Sequence, residues 1–195
     1  MAAYSLTVEN ILKKYIDGSG KGNNKLRQSL QYISPDSRYQ LLKDIRGHCN
    51  LTGLHAAAVS DDLESIKYML RGFTTDRKYE VVKIQNNYDS TALHHAAFKG
   101  HAYILIYLLN DFSQQQRYNL LRIQDREGST ALHDAASQQK LEVVQAILTP
   151  VSSQQQVSLL RITNNVGDMV TSIRPELRDE LPVLIRQGKK TFLVA

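Results

Sequence analysis

The sequence predicts an all-α protein, a helical solenoid of about three full repeats with a capping unit at each end. A short block recurs with a fixed period, as TGLHAAA, TALHHAA and TALHDAA, and its histidines, His55, His94 and His133, lie 39 residues apart each time. Apolar residues after each block recur at spacings of three and four, which is the spacing of one helix face.

A second recurring segment sets the length of the repeat. It ends at the isoleucines of RYQLLKDI, KYEVVKI, RYNLLRI and VSLLRI, which are Ile45, Ile84, Ile123 and Ile162. We therefore treat residues 1–195 as a single domain of five units. They are an N-terminal capping unit, 1–44, three repeats, 45–83, 84–122 and 123–161, and a degenerate repeat or C-terminal cap, 162–195.

The histidine block is expected to open the first helix of each repeat. Its threonine can accept a hydrogen bond from the amides that a helix start leaves without partners. The leucine supplies an apolar anchor, and the paired alanines are small enough for neighbouring helices to approach closely. In the first repeat these residues are Thr52, Leu54, Ala57 and Ala58.

A second helix is predicted after a short turn in each unit. Its apolar face is expected at Leu26, Leu30 and Ile33; Ile66, Leu70 and Phe73; Leu105, Leu109 and Phe112; and Val144, Leu148 and Val151. In the segment DDLESIKYML, Asp61 followed three residues later by Glu64 predicts a capping box at the helix start.

A third, short helix is predicted between the second helix and the next block. A hydroxyl residue precedes it in all four copies, at Ser34, Thr74, Ser113 and Ser152. Pro35 follows Ser34, as proline does at a first helical residue, and Gln116 stands three residues after Ser113, as a capping box requires. The two SQQQ runs are therefore interpreted as the first turn of a helix and not as linkers.

Both ends of the chain follow the same register. Residues 4–16 are expected to replace the first helix of the N-terminal unit. The segment GSGKGNN after them lacks the G-x-x-x-x-G-K-[ST] spacing of a phosphate-binding loop and is interpreted as a turn between two helices. In the last unit Met169 and Ser172 replace the threonine and the histidine, and Pro175 would break a long first helix.

The T-x-L-H-x-A block at a fixed period resembles the ankyrin repeat, most strongly over residues 45–167. Gly53, Ala92 and Ala131 stand where that family usually has proline, and the period is 39 residues instead of about 33. HEAT-type arrays, of about 40 residues, are the rival on length alone, and the histidine block argues against them.

The resemblance implies that the threonine and histidine side chains hydrogen-bond within and between hairpin loops. It also implies a protein-binding module without enzymatic activity, whose hairpin tips and exposed side of the first helices form a concave groove. Residues that differ between copies there are expected to carry specificity, with Tyr88 and Phe98 as aromatic anchors. For Phe98 the alternative is packing between helices. The expected partner-binding residues are His48, Asn50, Tyr88, Asp89, His95, Phe98, Arg126, Glu127 and Asp134.

A ladder of cations recurs on the third helix, at Lys43, Lys83, Arg122 and Arg161, joined by Arg38, Lys78 and Arg117. Cations near a helix C-terminus complement its dipole, and we prefer this explanation. The alternative is a basic stripe that binds nucleic acid or another anionic surface. A scaffold for a secreted, host-directed effector is a further alternative.

The composition is typical of one globular domain. The chain has 195 residues, of which 42% are hydrophobic and 22% charged, with no apolar run of roughly 20 residues and no signal-peptide pattern. We expect a soluble, cytoplasmic monomer that binds another protein. A net charge of +5 leaves nucleic acid open as a partner without favouring it.

No catalytic, metal or cofactor site is predicted. Cys49 is the single cysteine, so no C-x-x-C pair exists, and no acid pair or catalytic triad is recognisable. His48 beside it is interpreted as part of a hairpin tip. His94 and His101 are assigned to the histidine block and to the start of a second helix.

Overall fold

The computed structural model describes residues 2–18, 20 and 23–173 of the chain. Within these residues the regular structure is helical, apart from an isolated β-bridge between Thr163 and Met169. No helix in this part of the chain combines the length and the apolar composition that crossing a membrane requires. The prediction of an all-α fold is confirmed.

The helices divide between two compact units, Met1–Ala92 and Leu93–Ala195. The first unit contains α1 Ala2–Asp17, α2 Asn23–Leu30, α3 Pro35–Asp44, α4 Gly53–Val59, α5 Leu63–Leu70 and α6 Thr75–Val82, with a short 3₁₀ turn at His48–Asn50. The second contains α7 Ala92–Lys99, α8 Ala102–Asn110, α9 Gln114–Leu121, α10 Ala131–Ser137, α11 Leu141–Leu148, α12 Ser153–Leu160 and α13 Val170–Ile173. The first residue of α7, Ala92, is the last residue of the first unit.

Three kinds of helix recur with the period of the sequence. The inner helices are α4, α7 and α10, the outer helices are α2, α5, α8 and α11, and the inserted helices are α3, α6, α9 and α12. In the first unit α1 takes the place of an inner helix and packs against α2 and α4. In the second unit α11 packs against α8 and α10.

The core consists of the apolar positions that the repeat pattern identifies. The leucines and alanine pairs of the inner helices, Leu54, Ala57, Ala58, Leu93, Ala96, Ala97, Leu132, Ala135 and Ala136, are at most 2% exposed. The expected apolar face of each outer helix is buried as well, with Ile33 half-buried. Small inner-helix residues thus allow close helix packing while the outer helices supply most of the apolar volume.

The start of α5 differs from the prediction. Asp62, and not Asp61, is the N-cap, because its Oδ1 accepts a hydrogen bond from the Ser65 amide at 3.0 Å. Asp61 has a φ of 58° and belongs to the preceding turn, so the predicted capping box with Glu64 is wrong. The hydroxyl of Tyr15 in α1 donates to the same Asp62 carboxylate at 3.1 Å, which ties the N-terminal cap to the first repeat.

All four inserted helices are present and capped as the sequence predicts. The hydroxyl oxygens of Ser34, Thr74, Ser113 and Ser152 each accept a hydrogen bond from the amide three residues later. In α9 the Gln116 side chain also accepts from the Ser113 amide at 3.0 Å, which completes a capping box, and α12 repeats this arrangement. The glutamine runs are therefore helical.

Long side chains of the inserted helices also cap the outer helices. In α9 the guanidinium of Arg117 donates to the carbonyls of Leu109 at 2.9 Å and Asn110 at 2.8 Å. In α12 the amide of Gln156 donates to the Leu148 carbonyl at 2.7 Å. These donors satisfy carbonyls that a helix end leaves without partners in its own helix.

The segment GSGKGNN begins directly after α1, and its two asparagines are the first residues of α2, so residues 18–22 join the two helices. Gly20 has a φ of 83°, and a Cβ at this position would lie 2.0 Å from Ser60 Oγ, so only glycine fits. Residues 19, 21 and 22 of the segment lie outside the described residues. Pro175 and the rest of 174–195 lie outside them as well.

Candidate functional site

Three hairpin tips share one backbone geometry, at residues 86–90, 125–129 and 164–168. In each, the first amide donates to the last carbonyl at 2.8 to 3.0 Å. The side chain of the first residue, Asn86, Asp125 or Asn164, accepts hydrogen bonds through Oδ1 from two later amides of the same turn. Each tip is therefore a turn held by its own hydrogen bonds.

The first tip, residues 47–51, reaches a similar shape by another route. Gly47 occupies the position of Asn86 and has no side-chain oxygen, and Asp17 Oδ1 at the end of α1 accepts instead from the His48 amide at 3.0 Å. A Cβ on residue 47 would come within 2.6 Å of that oxygen and 2.3 Å of Ile16 Cγ2. Glycine at position 47 thus makes room for the carboxylate of α1.

The histidines of the repeated block join each inner helix to the following hairpin. His55 Nδ1 accepts from the Thr52 amide at 3.2 Å, so Nε2 must carry the proton, and it lies 2.9 Å from the Ser90 carbonyl oxygen. His133 repeats this arrangement with Thr130 and the carbonyl of Asp168. Threonine and histidine therefore hydrogen-bond within and between hairpin loops, as the resemblance implies.

These histidines are held in the neutral form. Burial lowers the pKa of His94 to about 4, although the negative charge of Asp125 opposes the shift. Burial also lowers the pKa of His133. Since both ring nitrogens of His55 and His133 already have hydrogen-bond partners, their role in the described structure is to connect hairpins.

Two expected partner-binding residues also have a backbone role. Asn50 and Asp89 have φ values of 59° and 57°, and the same register position holds Gly128 and Gly167 with φ of 75° and 87°. Asparagine and aspartate are, after glycine, the residues that tolerate this conformation best. The turn itself therefore favours these residue types, and both side chains are exposed.

One position of the tips holds a different residue in every copy: the half-buried Cys49 and the exposed Tyr88, Glu127 and Val166. Tyr88 is 55% exposed and Val166 is 79% exposed. Sequence comparison of the hairpins selected Tyr88 and Glu127 and missed Cys49 and Val166, which the same 39-residue register identifies. In the first unit Cys49 Sγ lies 2.9 Å from His48 Nδ1 and 3.6 Å from the Tyr88 hydroxyl, so the structure brings His48 and Tyr88 together.

Three of the expected residues, Arg126, Glu127 and Asp134, lie at or near the third tip in the second unit. Asp134 is half-buried on α10, and burial together with the charges of Asp125 and Glu127 raises its pKa to about 7. The side chains of Arg126 and Glu127 are exposed, and the Arg126 carbonyl accepts from Asn165 Nδ2 at 2.9 Å. The third tip is thus an acidic region fixed to the fourth tip.

The exposed side of α7 carries the remaining two expected residues. Phe98 is 46% exposed, with Lys99 Nζ 5.9 Å from its ring centroid. His95 is half-buried, and burial followed by the charge of Lys99 lowers its pKa. Nearly half of the Phe98 ring is therefore open to contact.

Six of the seven cations of the ladder divide into two groups, and the seventh, Lys78, is half-buried. Lys43, Lys83 and Arg122 are exposed and lie 5.1 to 5.7 Å from the ring of the tyrosine four residues earlier, and Arg161, which is also exposed, follows Val157 at that spacing. Arg38 is 5% exposed and donates to the Tyr68 carbonyl. Arg38 and Arg117 therefore serve helix ends, while the exposed group contacts its own helix.

The described residues were also searched for metal sites and for pockets. Among them, no group of three histidine, cysteine or acidic side chains is arranged to hold a metal ion. An open groove of about 360 Å³ between α2 and α5 contains a single carboxylate, Glu64, which is paired with Lys67 at 2.7 Å. The groove is otherwise lined by amides, Arg27 and Tyr68.

Comparison with known proteins agrees with this architecture. A family model described as ankyrin repeats (3 copies) matches residues 2–119 and 54–158, which together make up most of the chain. No curated protein sequence matches the chain.

Proposed function

Because the chain belongs to the ankyrin-repeat family, whose members are generally protein-binding modules and typically not enzymes, we propose that it binds another protein through its hairpin tips and the exposed side of its inner helices. The observation that carries this proposal is the 55% exposed ring of Tyr88 on a turn fixed by internal hydrogen bonds. A large aromatic group on a fixed turn loses little conformational entropy on binding, so more of its contact energy appears as affinity.

The second unit supports the proposal with side chains of different chemistry. Phe98 offers an exposed ring, and Glu127 with Asp134 offers carboxylates that a cationic group of a partner would stabilise. His48, Asn50, Asp89, His95 and Arg126 complete the proposed contact set. Aromatic residues are enriched in the core of protein interfaces, and polar or charged groups belong to the rim around it.

A quantitative capture experiment tests the proposal. Tagged wild-type protein, a Tyr88→Ala and Phe98→Ala double variant and a Tyr32→Ala control are compared for partners from a matched extract, and the partner found is then titrated in purified form. Tyr32 is 74% exposed but lies outside the tips and inner helices. We expect at least a tenfold loss of affinity in the double variant and none in the control.

The anionic alternative gives a different result in the same titration. Affinity that falls steeply with salt and is lost on neutralising Lys83, Arg122 and Arg161 would assign binding to the inserted helices and a nucleic acid. Full affinity of the double variant for a protein partner would reject the proposed site.

A further inference from the structure

The third hairpin tip binds the fourth through one asparagine. The Asn165 amide donates to the Glu127 carbonyl at 2.9 Å, and Asn165 Nδ2 donates to the Arg126 carbonyl at 2.9 Å. The carboxamide lies directly against Gly128, where a Cβ would come within 2.5 Å of Asn165 Oδ1 and 2.8 Å of the Asn165 nitrogen. We refer to the two carbonyls and the glycine as the ledge of the tip, which here holds the asparagine of the following turn.

Glycine at this position serves the side-chain contact more than it serves the turn. Asn50 and Asp89 adopt the same left-handed backbone in the first and second tips, with φ of 59° and 57°. Against the first tip, whose ledge has Asn50, the next tip makes only the main-chain bond, from the Asn87 amide to the Cys49 carbonyl at 3.0 Å. Of these two junctions, the carboxamide of the following turn therefore binds where the ledge has glycine.

The fourth tip has the same ledge, and the described residues do not cover it. Gly167, with a φ of 87°, occupies the position of Gly128, and a Cβ there would have no neighbouring atom within 4 Å. No described residue donates a hydrogen bond to the carbonyls of Asn165 and Val166, which hold the register positions of the two acceptors of the third tip. The Val166 side chain is 79% exposed. The ledge of the fourth tip is thus prepared in the same way as the ledge of the third.

The contact between the third and fourth tips indicates the chemistry of the occupant. An open ledge of this kind continues an interface that the protein already makes, in which a turn contributes a main-chain N–H and a carboxamide N–H. Main-chain hydrogen bonds supply affinity in such additions to an exposed backbone, and the side chain supplies specificity. The occupant that fits the ledge is therefore a turn with asparagine at its second residue.

This chain does not offer such a turn to its own fourth tip. In the second and fourth tips the second residue is asparagine, but the amides of Asn87 and Asn165 already donate to the preceding tips. The first and third tips have His48 and Arg126 at that position. Residues 174–195 contain no asparagine. A second copy of the chain has the same tips, so the turn must come from another protein.

We propose that the fourth tip binds an asparagine-bearing turn of a partner protein. The main-chain amide of that turn donates to the Val166 carbonyl, and its carboxamide donates to the Asn165 carbonyl above Gly167. The contact is small, so the complex is weak and transient unless other contacts accompany it. The inference rests on the proposed binding through hairpin tips, and it adds a partner chemistry at one tip.

A cyclic peptide with the sequence TNNVGDM, residues 163–169, is the probe, because it reproduces the turn that the third tip holds. The isolated β-bridge between Thr163 and Met169 brings its ends together, so cysteines added at both ends can close it. A matched peptide has alanine in place of the second asparagine. Binding to the whole protein is followed by amide chemical shifts. We expect saturable shifts at residues 165–168, and an affinity about tenfold lower for the alanine peptide.

The substitution Gly167→Asn provides the matched variant. It should fold, because Asn50 has the same backbone at this position of the first tip, and its Cβ should exclude the carboxamide as a Cβ on Gly128 would. We expect it to weaken the asparagine peptide about tenfold or more, with unchanged thermal unfolding. Gly72→Asn, the same change at an exposed left-handed glycine of the first unit, should leave the affinity unchanged.

Four results would overturn the inference: no binding of either peptide, equal affinity of the two peptides, full affinity of Gly167→Asn, or a dimer in sedimentation that Gly167→Asn abolishes. The peptide experiment does not involve Tyr88 or Phe98. Failure here therefore leaves the capture experiment on those two residues standing, and failure of the capture experiment leaves the peptide result standing.

Discussion

The block histidines couple the structure of single residues to pH. A neutral ring whose Nδ1 accepts from a threonine amide cannot take up a proton there without losing that hydrogen bond. The buried ring of His94 has a pKa of about 4 in the folded chain, below the value of about 6.5 expected in the unfolded chain. The unfolded state therefore binds the proton first as pH falls.

His94 should make stability depend on pH in a defined direction. Its contribution, about 3 kcal/mol, is present above pH 6.5 and is lost as pH falls toward 4. The unfolding free energies of wild type and His94→Asn are measured with urea across this range. The advantage of wild type over the variant should shrink as pH falls. Comparing the two proteins is necessary because the raised pKa of Asp134 acts in the opposite sense.

His48→Asn is the matched control, since His48 is exposed. It should follow the wild-type curve at every pH. A constant difference between wild type and His94→Asn would contradict the assignment of a neutral, buried ring.

Residue roles could be predicted from sequence where they depend on near neighbours. The threonine cap and the alanine pairs follow from the repeated block itself. The left-handed backbone of Asn50 and Asp89 could have been read from Gly128 and Gly167 in the same register, whereas the raised pKa of Asp134 depends on the packing around it.

The inserted helix acts as an element that closes the helix before it. Arg117 and Arg122 lie on or at the end of α9, but only Arg117 donates to the carbonyls at the end of α8. We expect Arg117→Met to lower the unfolding free energy by about 1 to 3 kcal/mol. Arg122→Met should cost less than about 0.5 kcal/mol, as an exposed substitution does. Equal losses in chemical denaturation would contradict this division of roles.

The N-terminal cap of the same element gives a second prediction. Ser113→Ala should lower stability by about 1 kcal/mol because it removes the acceptor of the Gln116 amide. Gln114→Ala, an exposed change in the same turn, is the control. Unchanged stability of Ser113→Ala, with amides 114–121 exchanging like free chain, would contradict the capped helix.

The inserted helices could be predicted because capping is encoded within four residues of sequence. The hydrogen bonds that they donate to the ends of the outer helices could not be predicted. Which carbonyls Arg117 and Gln156 reach depends on the angle at which α9 and α12 pack, and no local pattern specifies that angle. The ladder of cations was recognisable in sequence, but its division into buried and exposed members was not.

At the scale of the whole molecule we expect a monomer of 22.1 kDa. The net charge of +5 opposes self-association. Sedimentation equilibrium over a wide concentration range measures the mass directly. A stable dimer would contradict the expectation.

Fold class was accessible from the sequence because three copies of one block repeat in phase. The partner was not, since the exposed residues differ between copies and each is compatible with several binding chemistries.

The capping of α8 by α9 and of α11 by α12 has a consequence for how the array can change in length. Arg117 reaches back seven and eight residues and Gln156 eight residues, so each of these outer helices is finished by its own repeat. A 39-residue segment therefore contains both an outer helix and the side chain that caps its C-terminal end. Duplicating or deleting one, by recombination or by design, would leave no helix end open at the junction.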